Sequence, residues 1–150
     1  MLRLLPVLIL SMALCAVATP TAATAQAPVP VPIAAEDTHA ARELVRAQLA
    51  AFASDDADKA FSLASPSIRQ AFGTAEQFMR MVRGAYPVVY RPASVIFLKP
   101  ELEQDDLLQP VHMTDQSGSG WLAVYQLQRQ EDKSWRISGC VLLPRAGKTI

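Results

Sequence analysis

Beyond the N-terminal segment, apolar residues in the first half of the chain recur with the period of a helix. They fall at steps of three and four residues and comprise Ala41, Val45, Leu49 and Phe52, with Gln48 on the same face. This spacing predicts a first helix over about residues 38–53 with one buried face. Glu36 and Asp37 lie at its start, where the positive end of the helix dipole favours acidic side chains.

Three shorter helices are predicted from the signals at their ends. Residues 54–56 end the first helix and cap the second, whose apolar face carries Ala60, Phe61 and Ala64. Ser65 and Pro66 begin a third, short helix that ends at Gly73. Thr74, with Gln77 three residues later, forms a capping box for a fourth helix. The predicted buried face of that helix consists of Phe78, Met81, Val82 and Ala85.

Beyond Tyr86 the apolar positions recur with a period of two, which is typical of strands. Four prolines between residues 87 and 110 exclude helices longer than a turn or two. Strands are predicted over residues 93–99, 107–114, 120–129 and 134–143. Residues 116–120 form the turn between the second and third strands, and the acidic residues Glu101, Glu103, Asp105 and Asp106 are interpreted as a solvated hairpin loop.

The last two strands share a pattern that restricts the loop between them. The apolar residues occupy odd positions on both: Trp121, Ala123, Tyr125 and Leu127, then Trp135, Ile137, Val141 and Leu143. Paired residues of an unbulged hairpin share a face, so the loop must have an odd number of residues. Residues 131–133 satisfy this, pairing Leu127 with Ile137 and Arg129 with Trp135. Arg129 can then lie over the Trp135 ring.

Helices followed by strands predict an α+β fold: a single domain with N-terminal helices packed on a curved four-stranded antiparallel sheet. Sheets of this size twist strongly. If the sheet curls around the helices, the result is a cone-like shape with a pocket between the two layers.

The N-terminus has the three parts of a secretory signal. Arg3 is followed by an apolar run over residues 4–18 and then by small residues, which predicts cleavage between Ala25 and Gln26. The run is short for a retained membrane anchor. The expected organisation is a signal peptide (1–25), a proline-rich linker (26–35), one domain (36–145) and a tail (146–150), in a periplasmic or secreted protein with no membrane contact after cleavage.

Composition excludes several classes of function. Fourteen basic residues balance 14 acidic ones, so no basic excess favours nucleic acid. Two His and two Cys do not build a closed zinc site at ordinary spacings, and no metal or cofactor is predicted. Cleavage leaves Cys140 as the only cysteine, so the mature chain has no intramolecular disulfide.

Aromatic residues supply most of the candidate ligand contacts. Tyr86 and Tyr90 flank the junction between helices and sheet, where they either line a pocket or pack at a corner. Trp121, Tyr125 and Trp135 lie on the apolar face of the last two strands. There they either stack on a planar ligand or belong to the core or a dimer interface, and packing is the simpler interpretation of both groups.

Other polar residues give weaker signals. His112 on the second strand can act as an acid or base, but no carboxylate partner follows from spacing. Asp55, Asp56 and Asp58 do not have the spacing of a calcium loop and are interpreted as helix caps. Cys140 has no identifiable base beside it, so a structural role is predicted.

Seven segments together resemble a known family. They are VRAQLAAF (45–52), AFSLASPSIR (60–69), FGT (72–74), MVR (81–83), YPVVYRP (86–92), WLAVY (121–125) and SWRISGC (134–140). They resemble the small exported bacterial proteins grouped as domain of unknown function 4864, over about residues 39–144. That family usually has an Asp-Gly-Ser turn where this chain has Asp132, Lys133 and Ser134. The order of elements is also similar to the nuclear-transport-factor-two-like superfamily of cone-shaped domains, which includes both enzymes and binding domains.

The resemblance implies no catalytic residue, and none is assigned. The expected function is a non-catalytic module that binds a small hydrophobic ligand or another protein. One alternative is an exported acid/base enzyme, similar to an isomerase, cyclase or hydrolase, acting on a hydrophobic ligand. The other is a structural domain that forms a homodimer through the sheet face.

Overall fold

A computed structural model describes residues 32–145, and the fold in this range is α+β, as predicted. The helices come first: α1 (Ala35–Ala53), α2 (Ala57–Ser62), α3 (Pro66–Phe72), α4 (Ala75–Ala85) and α5 (Pro87–Tyr90). The strands follow: β1 (Ser94–Phe97), β2 (Glu101–Glu103), β3 (Asp106–Thr114), β4 (Gly120–Arg129) and β5 (Trp135–Pro144). The predicted signal peptide, most of the predicted linker and the tail lie outside the described residues.

The predicted helix ends are confirmed at three caps. Side-chain oxygens of Asp56, Ser65 and Thr74 each accept a hydrogen bond from the backbone N–H three residues later. Gly73 ends α3 with φ at 72°, a conformation that glycine adopts without steric cost. Local sequence therefore determines where α2, α3 and α4 begin, because these caps satisfy backbone donors that the helices leave free.

The predicted buried face of α4 is wrong in part. Ala75, Phe78, Met79 and Val82 are buried, whereas Met81 is half-buried and Ala85 is exposed. Both sets follow a helical spacing, so the sequence alone allowed either. Phe78, which belongs to both sets, packs at the centre of the helices, with its ring 5.6 to 6.1 Å, centroid to centroid, from the rings of Phe52, Phe61 and Phe72.

The sheet has five antiparallel strands rather than the predicted four. Four follow the order β1-β3-β4-β5, and the short β2 pairs with the start of β3. The segment containing Glu101, Glu103, Asp105 and Asp106 is therefore a strand and a tight turn, not an open loop. A positive φ of 57° at Gln104 makes this turn, and its polar composition hid the pairing because β2 is exposed along its length.

The predicted pairing of the last hairpin is confirmed close to its loop. Leu127 pairs with Ile137, and Arg129 pairs with Trp135. The N–H of Gln130 donates to the carbonyl of Ser134 at 2.8 Å, which closes a loop of residues 131–133. The Arg129 guanidinium carbon lies 5.4 Å from the centre of the Trp135 ring, so the predicted cation–π contact is also present.

Further along the same hairpin, a β-bulge reverses the predicted faces of β5. Gln126 pairs with Gly139 and Leu127 with Ile137, so Ser138 is left without a paired residue in the β4–β5 ladder. The prediction assumed an unbulged pair, and one extra residue exchanges inward and outward positions. Val141 and Leu143, predicted to be on the apolar inner set, are 59% and 47% exposed on the opposite face of the sheet. Cys140 and Leu142 pack against the core in their place.

The helical layer is hydrogen-bonded to the outer edge of β5. The N–H of Ser65 donates to the carbonyl of Ile137 at 2.8 Å, and the N–H of Ile137 donates to the carbonyl of Leu63 at 3.0 Å. These bonds form an isolated parallel bridge between the α2–α3 connection and the strand. They hold the helices next to the bulge and cover part of a strand edge that otherwise faces solvent.

Lys133 gives a stability prediction because its φ is 66°. A side chain with a Cβ atom is disfavoured in the left-handed region by about 1–2 kcal/mol. We therefore expect Lys133→Gly to raise the free energy of unfolding by about 1 kcal/mol, after the greater entropy of glycine in the unfolded chain is subtracted. Urea denaturation measures this change.

The matched control is Lys133→Ala, which removes the same charge and length but keeps Cβ. We expect no comparable gain from it, and an equal gain in both variants would contradict the conformational explanation.

Candidate functional site

A cavity of about 210 Å³ lies between the helices and the inner face of the sheet. Twelve residues line it, from α1, α3, α4, α5, β4, β5 and the turn between α4 and α5. Eight of these residues are aliphatic, phenylalanine or methionine. The other four have polar atoms but no formal charge: Gln48, Tyr86, Tyr125 and Cys140. The site is therefore an apolar space with a few polar groups, which is the usual composition of a small-molecule pocket.

The polar groups of the lining differ in how well they are satisfied. The Gln48 side-chain nitrogen donates to the carbonyl of Ala60 at 3.2 Å, so this buried amide also ties α1 to α2. The Tyr125 hydroxyl is buried and has no oxygen or nitrogen partner among the described residues, and its interaction with the Cys140 thiol is weak. Cys140 faces Tyr125 across the β4–β5 pair, as a free thiol.

Burial keeps both of these β-strand groups in their neutral forms. It raises the pKa of the Cys140 thiol to about 12, although the nearby Tyr125 hydroxyl acts in the opposite direction. Burial also raises the pKa of the Tyr125 phenol well above its ordinary value, and the neighbouring Cys140 adds to that shift. A thiol with a raised pKa is a poor nucleophile at neutral pH.

The structure brings together two of the six residues predicted as ligand contacts. Tyr86 and Tyr125 both line the cavity. Tyr90 lies at the surface, one turn of chain after Tyr86, where its hydroxyl donates to the Asp55 carboxylate. The remaining three, His112, Trp121 and Trp135, lie away from the cavity.

Tyr90 belongs to a surface cluster around Asp55. The Asp55 carboxylate accepts hydrogen bonds from Arg83 at 2.7 Å and Arg91 at 3.0 Å as well as from Tyr90. The Tyr90 hydrogen bond, followed by the one from Arg83, lowers the pKa of Asp55. Of the predicted capping carboxylates only Asp56 accepts a hydrogen bond as a cap, whereas the Asp55 side chain, in a residue with a φ of 58°, is bound to this cluster instead.

Each of the two tryptophans is tied to a carboxylate. The Trp135 indole N–H donates to Asp37 on the first turn of α1 at 3.0 Å, and the Trp121 indole N–H donates to Asp115 at 2.9 Å. Both rings pack on the core. These contacts fit the packing interpretation of the aromatic residues.

His112 lies on the outer face of the sheet, which the helices do not cover. It pairs with the exposed Ile96 on one side and with Leu122 on the other. Its Nδ1 atom is 3.0 Å from a guanidinium nitrogen of Arg145. Because a guanidinium only donates, Nδ1 accepts this hydrogen bond.

Sequence reasoning missed two polar residues of the cavity, Gln48 and Cys140. Gln48 had a usable signal, since a polar residue in the middle of an apolar helix face must find a buried partner. Cys140 had none, because only the bulge turns its side chain inward.

A family model described as domain of unknown function (DUF4864) matches residues 34–150. The chain belongs to the DUF4864 family. The match includes every helix and strand of the fold and therefore every cavity residue. No curated protein and no solved structure matches the chain.

The described part of this DUF4864 chain lacks two other kinds of site. Within residues 32–145, no group of three or more metal-binding side chains is placed to hold an ion. No helix in the same range combines the length and the apolar character needed to cross a bilayer.

Asp115 gives a prediction about pH. Hydrogen bonds from Ser117, then from Trp121, lower the pKa of its carboxyl from the ordinary 3.8 to about 2. A carboxylate with a lowered pKa stabilises the fold above its unfolded pKa, and this contribution disappears as the pH falls through the folded value. We expect Asp115→Asn to lower Tm at pH 7 and to lose most of that deficit between about pH 4 and pH 2.

Differential scanning fluorimetry at several pH values in that range measures the effect. A Tm deficit that stays constant from pH 7 to pH 2 would show that the charge of Asp115 does not stabilise the fold.

Proposed function

We propose that this DUF4864 domain binds a small apolar molecule in the cavity between its helices and its sheet, without converting it chemically. The observation that carries the proposal is the lining: eight apolar residues and four uncharged polar ones around about 210 Å³. A dry apolar cavity of about 150 Å³ is large enough for benzene, whereas pockets for drug-sized ligands begin near 300 Å³. The ligand that fits is one ring with a substituent, or a short chain.

Acid/base catalysis is the less favoured alternative because the lining lacks a suitable pair of groups. Among the cavity residues there is no Asp, Glu or His. The Tyr125 phenol and the Cys140 thiol have raised pKa values, so neither is a base at neutral pH. A general base needs a pKa close to the working pH.

We further propose that the ligand is bound outside the cytoplasm, in the periplasm or after secretion. The support is the N-terminal pattern of Arg3, the apolar run 4–18 and the small residues before Gln26.

We also propose that the sheet is curved and cone-like, similar to nuclear-transport-factor-two-like domains. Its support is the order of elements, with the helices before an antiparallel sheet.

A cavity-filling variant tests ligand binding. Met81 on α4 lines the cavity and is half-buried, so Met81→Trp places an indole in the space that a ligand would take. We expect the wild-type protein to bind α-methylstyrene, a nine-carbon hydrocarbon, and Met81→Trp to bind it at least tenfold more weakly. Ligand-observed NMR titration measures both affinities.

The matched control is Arg80→Trp, which adds the same side chain one residue away on the exposed side of α4. It should bind like the wild type. Equal affinity in Met81→Trp and Arg80→Trp, or no binding by the wild type, would contradict a ligand site in this cavity.

A second candidate function, homodimer formation, is favoured by the outer face of the sheet. Two cross-strand rows there are largely apolar: Ile96, His112, Leu122 and Leu143, then Pro110, Val124 and Val141. β1 has four residues, β3 nine, and β4 and β5 ten each, so at about 3.3 Å per residue and 4.8 Å between strands the face covers about 520 Å². That footprint is about two thirds of the roughly 800 Å² per partner of a standard interface. We propose that a second copy of this chain covers it, sheet against sheet.

The double variant Val141→Lys with Leu143→Lys tests the dimer. We expect a dimer for the wild type and a monomer for the variant in sedimentation velocity, because four buried ammonium groups would lack partners. Leu102→Lys is the control, since Leu102 is 43% exposed but lies on β2, outside the two rows. A wild-type monomer at every concentration tested would exclude this candidate.

A further inference from the structure

The side-chain amide of Gln48 is bound at one branch and open at the other. Its nitrogen donates to the Ala60 carbonyl at 3.2 Å, so the oxygen, on the other branch of the planar amide, points away from that carbonyl. This oxygen accepts no hydrogen bond within residues 32–145. Gln48 lines the cavity and is 3% exposed, and its oxygen, unlike the Tyr125 hydroxyl, is not closed off from space that a small molecule can enter.

The other polar groups of the lining are accounted for without a ligand. The Tyr125 hydroxyl and the Cys140 thiol interact with each other inside the β4–β5 pair. Tyr86 is half-buried where α4 meets α5, so water can reach its side chain. The Gln48 oxygen is therefore the buried acceptor that stays open at the cavity wall.

Water is a poor partner for this oxygen. A buried water is well held when about two to four polar groups bind it, whereas the lining around Gln48 is mostly aliphatic and aromatic. An acceptor that has lost its water and gained no partner destabilises the fold. The bond to Ala60 explains the amide nitrogen of Gln48 and leaves the oxygen without a role in the protein itself.

We propose that the molecule bound in this cavity is a small neutral hydroxyl compound, an aromatic alcohol or a phenol, whose O–H donates to the side-chain oxygen of Gln48. This inference rests on the ligand-binding function proposed above and names the class of ligand.

The charge of the lining restricts the ligand to neutral molecules. No Lys, Arg or His is among the twelve cavity residues, so a carboxylate ligand would lose its water without meeting a cation. An aliphatic amine, which is protonated at neutral pH, would equally lack a carboxylate partner among them. Ions of either sign are therefore disfavoured in this cavity.

Hydrogen-bond balance selects among the neutral molecules. Hydrocarbons, ethers and ketones have no donor, so they would displace water from the Gln48 oxygen and leave it unpaired. A hydroxyl group supplies one donor, which matches the open acceptor. The bond from the amide nitrogen to Ala60 polarises the amide and makes its oxygen a stronger acceptor. The apolar residues of the lining, among them Phe52, Phe72 and Phe78, can pack against the ring that carries the hydroxyl.

Three probes with the same number of non-hydrogen atoms and nearly the same shape test this assignment. Benzyl alcohol carries the hydroxyl, ethylbenzene replaces it with a methyl group, and anisole has an ether oxygen that only accepts. Each is titrated by NMR against the wild-type protein and against Gln48→Met, which keeps the length of the side chain and removes the amide. We expect Gln48→Met to bind benzyl alcohol about tenfold more weakly and the other two equally well or better, because only the alcohol loses a hydrogen bond.

The loss of the bond to Ala60 in Gln48→Met affects all three probes alike, so the ratio of their affinities isolates the hydroxyl. The matched control is Gln70→Met, the same substitution at an exposed position of α3 outside the cavity. It should bind all three probes like the wild type. Tyr86→Phe removes the hydroxyl of the lining that water can reach, and it should change the affinities for benzyl alcohol and anisole by the same factor.

A second measurement uses the wild type alone and does not depend on the folding of any variant. The ¹³C resonance of the Gln48 side-chain carbonyl should move downfield when benzyl alcohol binds, because the oxygen then accepts a hydrogen bond. It should not do so when ethylbenzene binds.

The outcomes distinguish this inference from the function on which it rests. If ethylbenzene binds and Gln48→Met changes all three affinities by the same factor, the assignment of a hydroxyl compound is overturned while ligand binding stands. The same holds if Tyr86→Phe, and not Gln48→Met, selectively weakens benzyl alcohol, or if the Gln48 carbonyl resonance responds equally to benzyl alcohol and ethylbenzene. If no probe binds the wild type, the proposed function and this inference both fail.

Discussion

The extra residue Ser138 in β5 determines which side chains of that strand meet the helices. On the loop side of the bulge Trp135 and Ile137 face inward, and beyond it Cys140 does so. In a regular strand one of these groups would face the opposite side of the sheet. The cavity wall formed by Ile137 and Cys140 thus depends on one interruption of the alternation. The exposure of Val141 and Leu143 on the outer face is the other consequence of the same interruption.

Contacts of three kinds fix the helices and turns around this irregular strand. Backbone hydrogen bonds join the α2–α3 connection to Ile137. A cluster of four phenylalanine rings centred on Phe78 fills the space between α1, α2, α3 and α4. Carboxylates at turns, Asp55 and Asp115, accept several hydrogen bonds each and fix the ends of elements near the surface. Because these contacts fix the position of the helices and the sheet, their side chains do not fill the space between them, and the cavity remains.

Most of the fold could be predicted from the sequence because its signals are local. The caps at Asp56, Ser65 and Thr74 can be predicted from residues only three positions apart. The odd number of residues in the last hairpin loop follows from the alternation of apolar residues up to Ile137. The fifth strand and the bulge could not be predicted, since β2 is exposed and a bulge has no dependable mark in a single sequence. The candidate site likewise contains residues with a local sequence signal and residues without one. Tyr125 lies on a predicted apolar face and Tyr86 at the predicted junction of helices and sheet. Cys140, in contrast, reaches the cavity through the bulge, and Asp55 binds arginines 28 and 36 residues away that no local pattern connects.

The bond between Trp135 and Asp37 also has a consequence for how the chain acquires its structure. The two residues are 98 positions apart, and they join the first turn of the first helix to the last strand. During synthesis α1 emerges long before β4 and β5, which supply much of the core against which it packs. Isolated helices of this length are marginal in water, and a contact between distant residues costs loop-closure entropy before it can stabilise them. The N-terminal helix therefore reaches its final state only once the C-terminal hairpin has been made, so the chain remains open until its last strand is complete.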